Sequence, residues 1–191
     1  MHHRFFRKRS GGNMKTLIVY TSQTGFTKRY AEWLAERVKA ETMELKEAQK
    51  KKDDFFAGYE AIVYGGWANA ESVAKVKWFL GKASEWKDKR LALFCVGASL
   101  NGTPRIEQMM QKTLTDEQRG YIRAFYCQGG INYEKMSAPT RLAMKMFVGS
   151  LKKKKDATPD IKEMAEMLSK TCDISDRKYI EPIAEYLEEA Q

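Results

Sequence analysis

Buried strands and amphipathic helices alternate along most of this sequence, and this alternation constrains the fold more than any other feature. The first strand, "KTLIVYT", is a continuous apolar run rich in branched residues, which is typical of a strand buried on both faces of a parallel sheet. Further strands are predicted at "ETMEL", "EAIVYGG", "RLALFCVGAS" and "YIRAFYCQGG". Together with the helices between them, they predict an α/β fold, a doubly wound sheet of five parallel strands with helices on both faces.

The predicted helices follow the strands in turn. After the first strand, apolar residues recur at helical spacing from Tyr30 to Val38. Later helices are predicted at "SVAKVKWFLGKA", "RIEQMMQKTL" and "DRKYIEPIAEYLEEA". Pro182 lies inside the last of these, so we expect a kink there or a later helix start.

The 191 residues are consistent with one domain. Residues 1–13 are basic and end in Gly-Gly-Asn, and we expect them to be a disordered leader or a remnant of cloning, with a native arm as the alternative. Residues 14–191 then form the single domain. Residues 130–175 are a long insertion before the last helix, and long insertions are often functional.

Cysteine and histidine usage excludes several kinds of site. Cys95, Cys127 and Cys172 lie far apart without metal-ligand spacing, so we expect no metal, no disulfide framework and a reducing, cytoplasmic compartment. The only histidines are His2 and His3, which excludes a histidine-based catalytic site within the fold. No catalytic acid, base or nucleophile can be named. The net charge of +9 alone would permit nucleic-acid binding, but no binding motif accompanies it, so no nucleic-acid partner is expected.

A run of hydroxyl residues and a glycine follows the first strand, at "TSQTGFT". Ser22, Thr24 and Thr27 offer hydroxyl groups, Gly25 permits close backbone approach, and the next helix presents free N–H groups and the positive end of its dipole. This combination favours binding of a phosphate. In the alternative, Thr24 or Thr27 only caps the helix. Neither the Walker A spacing nor G-x-G-x-x-G is present, which disfavours nucleoside triphosphates and dinucleotides.

The run Ser22-x-Thr24-Gly25-x-Thr27 after a first buried strand resembles the phosphate loop of the flavodoxins, which bind FMN. The resemblance extends from Met14 to about Tyr133 in strand order and includes the last helix. It implies a flavodoxin-like fold with FMN as the cofactor. It also implies that the phosphate is held by Ser22, Gln23, Thr24, Gly25, Phe26 and Thr27.

The same resemblance places the flavin ring between the loops after the third and fourth strands. Near the ring it implies Trp67, Ala68 and Asn69 from the first of these loops, and Gly97, Ala98, Ser99, Leu100, Asn101 and Gly102 from the second. Trp67 in a plain core position is the alternative. Two features depart from electron-carrier flavodoxins: the second loop lacks an aromatic residue, and the chain is basic, with a pI of about 9.4.

The insertion combines apolar and basic residues. Pro139 could begin a helix whose apolar face carries Leu142, Met146 and Phe147, while Arg141, Lys145 and residues 152–155 add positive charge. Such a surface suits an anionic membrane or an apolar substrate that carries carboxylates. In the alternative, the helix packs on the body of the protein and the lysines are a solvated end.

A flavodoxin-like domain with a long insertion before the last helix is similar to the menaquinone-dependent protoporphyrinogen IX dehydrogenases. That similarity implies an FMN-dependent oxidoreductase that acts on a tetrapyrrole, passes electrons to a quinone, contacts the inner face of the cell membrane and pairs as a homodimer. After the fifth strand, Asn132 and Tyr133 are candidates for the substrate side. The alternatives are an electron carrier without its own substrate and a flavin-free interaction domain.

Overall fold

The computed structural model describes residues 14–69, 72–154 and 157–189. The predicted leader, residues 1–13, therefore lies outside the described residues. Within the described ranges, no helix is both long and apolar enough to cross a membrane.

Five parallel strands form the central sheet, in the spatial order β2-β1-β3-β5-β6. The strands are β1 (Thr16–Tyr20), β2 (Glu41–Glu44), β3 (Ala61–Asn69), β5 (Arg90–Gly97) and β6 (Ile122–Gln128). The register pairs Leu17 of β1 with Ile62 of β3 and Leu93 of β5 with Ala124 of β6. The predicted α/β fold with five parallel strands is confirmed.

Helices cover both faces of this sheet. One face packs against α1 (Phe26–Val38) and α9 (Glu181–Glu188), and the other packs against α4 (Lys77–Ala83) and α5 (Pro104–Thr113). Three short helices complete the body: α2 (Leu45–Ala48), α3 (Asp53–Ala57) and α6 (Asp116–Arg119). Because alternate strand residues point to opposite faces, Ile18 packs on the face covered by α1 and α9, and Leu17 packs on the face covered by α4 and α5.

Strand β3 is longer than the sequence predicts. Trp67, Ala68 and Asn69 were expected in a loop, but they continue β3, and Ala68 and Asn69 pair with the antiparallel β4 (Ser72–Val73). The helix expected to begin at Ser72 begins instead at Lys77. Two consecutive glycines suggested a strand end, yet the ring of Phe94 packs directly against Gly65, where a Cβ atom would lie 2.1 Å from it.

The last helix begins late, as the position of Pro182 predicts. A 3₁₀ turn covers Arg177–Ile180, and α9 follows with Pro182 in its first turn, where its missing N–H costs no hydrogen bond. Arg90 at the start of β5 holds the C-terminal end of α9. Its Nη1 donates to the carbonyls of Tyr186, Leu187 and Glu189.

The insertion is a helical hairpin closed at its base by a small sheet. It comprises β7 (Gly130–Ile131), α7 (Ala138–Lys152), α8 (Pro159–Leu168) and β8 (Cys172–Asp173), and β7 pairs antiparallel with β8. The insertion has its own small core, in which Ile131, Val148 and Leu168 are buried.

Helix α7 begins beside Pro139 as predicted, but its apolar face is divided. Phe147 packs into the core of the insertion, whereas Leu142 and Met146 are 61 % and 68 % exposed. Arg141, expected to add surface charge, instead donates from Nη2 to the carbonyls of Glu134 and Met136. The helix therefore packs on the protein and also presents an apolar surface to solvent.

Candidate functional site

The loop between β1 and α1 leaves the first turn of α1 open. Gly25 occupies the cap position, with a φ of 98° that favours glycine, so neither Thr24 nor Thr27 caps the helix. Ser22 Oγ accepts a hydrogen bond from the N–H of Gly25 at 3.2 Å. Within the described residues, no protein acceptor meets the N–H groups of the first turn of α1. These donors and the positive helix end can bind an anion.

The six residues expected to hold a phosphate are adjacent, but their side chains differ in exposure. Ser22, Gln23 and Thr24 are half-buried in the loop and line the cavities beside it. Phe26 and Thr27 are the first residues of α1 and are buried, Thr27 to 2 % exposure, with Phe26 in the core beneath the helix. Phe26 can therefore serve an anion only through its backbone N–H.

Two cavities adjoin this loop. The first, of about 520 Å³, lies between the start of α1 and the base of the insertion, and Thr171 and Cys172 line its far wall. The second, of about 320 Å³, extends toward Tyr20 and Glu44. The two cavities share four lining residues: Thr24, Gly25, Lys28 and Lys135. The loop is therefore accessible from both cavities.

A salt bridge joins α1 to the base of the insertion beside the larger cavity. Arg29 Nη1 lies 2.5 Å from Asp173 Oδ2 and donates to Ser175 Oγ at 2.8 Å. Partial burial alone would raise the pKa of Asp173, but hydrogen bonds from Ser175 and Arg29 lower it below the ordinary value. Asp173 is thus charged at neutral pH and compensates Arg29.

The loop after β5 is held by side chains from β6. The hydroxyl of Tyr126 donates to the Ser99 carbonyl at 2.9 Å, and Gln128 Oε1 accepts from the Asn101 N–H at 3.0 Å. A Cβ atom at Gly97 would lie 2.6 Å from the Tyr126 hydroxyl, so a larger residue there would displace the Tyr126 side chain. Burial raises the pKa of Tyr126, which keeps this hydroxyl protonated as a donor.

The residues of β3 that were expected near the flavin ring lie at the carboxyl end of that strand, beside the carboxyl end of β5. Trp67 pairs with Val96 in register, and Ala68 Cβ would lie 3.1 Å from a Cβ at Gly97. Trp67 is half-buried and belongs to neither core cluster of the sheet, which disfavours the plain core alternative. The loop that follows Gly97 runs along this edge through Ala98, Ser99, Leu100, Asn101 and Gly102.

The two substrate-side candidates have structural partners. Asn132 Oδ1 accepts from the N–H groups of Glu134 and Lys135, both at 3.1 Å, and so fixes a turn. The hydroxyl of Tyr133 donates to the Leu168 carbonyl at 2.6 Å, which ties β7 to α8. Asn132 lines the larger cavity, beside the loop after β1.

The insertion contacts the loops after β1 and β5. Gln23 Nε2 donates to Ser137 Oγ at 3.1 Å, at the start of α7. Ala98 packs against the core of the insertion, and the guanidinium of Arg105 lies 4.7 Å from the ring centroid of Phe147. The insertion therefore borders the candidate site at the loop after β1 and at the loop after β5.

Sequence reasoning missed the basic residues at the phosphate loop. Lys28 and Arg29 directly follow the motif, so their positions in the first turn of α1 could have identified them. Lys135 reaches the same cavities from the insertion, and no local pattern indicates a contact across so many residues.

The cysteines offer no reactive thiol in the body of the sheet. Cys95 and Cys127 are buried, and burial raises both pKa values, that of Cys95 to about 12. Both thiols are therefore protonated at neutral pH. In the part of the chain that the structure describes, no group of three His, Cys, Asp or Glu side chains could hold a metal ion.

Comparison with known proteins identifies the family. Residues 17–158 match the model of the flavodoxin domain, and no curated protein matches the chain. One similar solved structure is the flavodoxin, WrbA-like protein from Agrobacterium tumefaciens, with 18 % identity, 82 % of this chain and 96 % of that chain covered, and a TM-score of 0.46. Another is a flavoprotein in complex with FMN from Lactobacillus acidophilus, with 20 % identity, coverage of 60 % and 92 %, and a TM-score of 0.42. The domain match spans most of the chain, and the chain therefore belongs to the flavodoxin domain family.

Proposed function

We propose that the protein is an FMN-dependent oxidoreductase. The observation that carries the proposal is the open first turn of α1 behind Gly25, beside Ser22 Oγ and next to the two cavities that Thr24 lines. Hydroxyl and N–H donors from a loop and a helix N-terminus can bind a phosphate monoester. The carboxyl ends of β3 and β5 lie at the same edge of the sheet, where open α/β sheets bind their ligands.

The residues present fit FMN at both ends of the site. Ser22, Thr24 and the N–H groups at the start of α1 would hold the phosphate, while Trp67 and the loop from Ala98 to Gly102 would border the ring. When bound, FMN supplies the redox chemistry by accepting a hydride or electrons and passing them on. The protein's part is to orient the substrate and to restrict solvent access, and the insertion that borders both loops supports this role.

The visible absorption spectrum of the protein tests this proposal. The protein is purified, mixed with FMN and freed of excess, and its spectrum is compared with that of the untreated sample. We expect a retained flavin spectrum and release of FMN, not FAD, on denaturation. A protein that stays colourless and gains no thermal stability from FMN would overturn the proposal and favour the flavin-free interaction domain.

For the substrate, we propose a carboxylate-bearing tetrapyrrole such as protoporphyrinogen IX, with a quinone as the electron acceptor. Each pair of hydrogen atoms removed from the substrate would reduce one quinone to its quinol. The support is the basic and apolar insertion at the ring-side loop, where Arg105 lies beside Phe147 and Leu100 is 54 % exposed. Turnover of protoporphyrinogen with a menaquinone analogue is the test. Flavin reduction without any quinone turnover would favour an electron carrier.

We further propose that the outer face of α7 makes a peripheral contact with the inner face of the cell membrane. Leu142 and Met146 lie one helical turn apart and are exposed, and Lys145 is exposed between them. An exposed apolar pair beside positive charge suits an anionic lipid surface. This contact would bring the enzyme to the quinone.

A further inference from the structure

We propose that Lys135 of the insertion, together with Lys28 of α1, binds the phosphate of FMN. This inference rests on the proposed function and assigns part of the cofactor site to a segment outside the flavodoxin loop. Lys28 and Lys135 line both cavities that adjoin Thr24 and Gly25. The two lysines therefore flank the loop that offers its N–H groups to the phosphate.

The backbone of Lys135 is held in place by the turn at the base of the insertion. Its N–H donates to Asn132 Oδ1 at 3.1 Å, and the N–H of Tyr133 donates to Thr171 Oγ1 at 3.3 Å. The hydroxyl of Tyr133 fixes the same turn to α8 through the Leu168 carbonyl. A lysine on a fixed turn loses less freedom on binding than one on a mobile loop.

The charge of Lys135 is available for an anion. Among the described residues, no acidic side chain forms a salt bridge with Lys135, and Lys28 has only Glu32 at 3.8 Å. Glu44 lines the smaller cavity, and Arg29 is already compensated by Asp173. The larger cavity is thus lined by three cationic side chains and by the carboxylates of Glu32 and Asp173, and the smaller one by Lys28, Lys135 and Glu44. Each cavity wall therefore carries one positive charge in excess of its carboxylates.

The positive charge of these lysines favours binding of the FMN phosphate more than binding of the other parts of the cofactor. A phosphate monoester carries nearly two negative charges at neutral pH. The loop itself offers only neutral hydroxyl and N–H donors, whereas an ammonium group adds a charge-assisted hydrogen bond. Riboflavin lacks the phosphate, so its affinity should not depend on Lys135.

Affinity measurements for FMN and riboflavin test the inference by titrating flavin fluorescence against the apoprotein. We expect Lys135→Gln to weaken FMN binding by about three- to tenfold, because the lysine is exposed and partly screened, and to leave riboflavin binding unchanged. Lys28→Gln should act in the same direction, and Lys135→Arg should retain most of the affinity for FMN. Added salt should reduce the difference between the wild type and Lys135→Gln.

The matched control is Lys162→Gln, which removes the same charge from an exposed position on α8 that lines neither cavity. Equal FMN affinities for Lys135→Gln and Lys162→Gln would overturn the inference, as would an equal loss of riboflavin affinity in Lys135→Gln. If the proposed function itself is wrong, the result differs: the wild type would then bind neither FMN nor riboflavin.

Discussion

Gln23 Nε2 donates hydrogen bonds to Ser137 Oγ at 3.1 Å and to Thr140 Oγ1 at 3.3 Å, and so joins the phosphate loop to the first turn of α7. Ser137 also caps α7, since its hydroxyl accepts from the Thr140 N–H. The side chain of Gln23 is thus bound to the helix that carries the exposed apolar pair. A substitution in the loop after β1 should therefore change the local stability of the insertion.

Gln23→Ala should loosen the insertion without unfolding the sheet. The substitution removes one exposed and one partly buried hydrogen bond but leaves the Ser137 cap intact, so we expect faster amide exchange at the start of α7 and unchanged exchange in β1 and β3. Ser137→Ala removes the cap of α7 and one of the two Gln23 hydrogen bonds, and leaves the bond to Thr140, so it should destabilise the protein by about 1 kcal/mol, mainly through the lost cap. Hydrogen exchange read by mass spectrometry checks both variants. Unchanged exchange in α7 of Gln23→Ala would show that the contact contributes nothing.

Gly25→Ala should lower the free energy of unfolding through backbone strain alone. The φ of 98° disfavours a side chain, while a Cβ atom there would meet no other atom within 4 Å. We expect a loss of about 1–2 kcal/mol in urea unfolding. Gly81 in α4 is the matched control, because its surroundings are equally open but its backbone is helical, so Gly81→Ala should raise stability by about 0.5–1 kcal/mol. Equal stability of Gly25→Ala and the wild type would contradict this account.

The sheet could be predicted from the sequence because buried parallel strands carry their own signal. Runs such as "TLIVY" and "RLALFCVG" are apolar throughout, since both faces are covered, and the order of strands and helices then restricts the topology. The late start of the last helix at Pro182 was predictable for a similar local reason.

Features that depend on tertiary neighbours could not be predicted in this way. The extension of β3 through Trp67 depends on Phe94 packing against Gly65 and on pairing with β4, whereas two glycines alone suggest a strand end. The exposure of Leu142 depends on which side of α7 meets the core of the insertion. Lys135 lines the cavities beside the loop after β1 only because the insertion contacts that loop.

The salt bridge between Arg29 and Asp173 should make a small part of the stability depend on pH. The folded-state pKa of Asp173 is lowered, so its contribution is present above the unfolded pKa of about 3.9 and is lost as pH falls through the folded value. Because both side chains are substantially exposed, we expect Asp173→Asn to cost at most about 1 kcal/mol at pH 7. The difference from the wild type should shrink as the pH falls below about 4. Urea unfolding of both proteins across this range is the measurement, and a difference that does not change with pH would refute the assignment.

Binding to lipid vesicles should depend on the exposed apolar pair of α7. The wild type should sediment with vesicles that contain phosphatidylglycerol and much less with vesicles of phosphatidylcholine alone, because Lys145 adds attraction to anionic lipid. The double variant Leu142→Gln, Met146→Gln should bind at least about tenfold more weakly, since each side chain would forgo roughly 1.5 kcal/mol of apolar burial. Both positions are exposed, so the variant should unfold at the same urea concentration as the wild type. Lys145→Gln keeps the apolar pair and removes the charge beside it, so it measures the electrostatic part of the binding to anionic vesicles separately. If the double variant binds anionic vesicles as well as the wild type, the outer face of α7 is not the membrane contact.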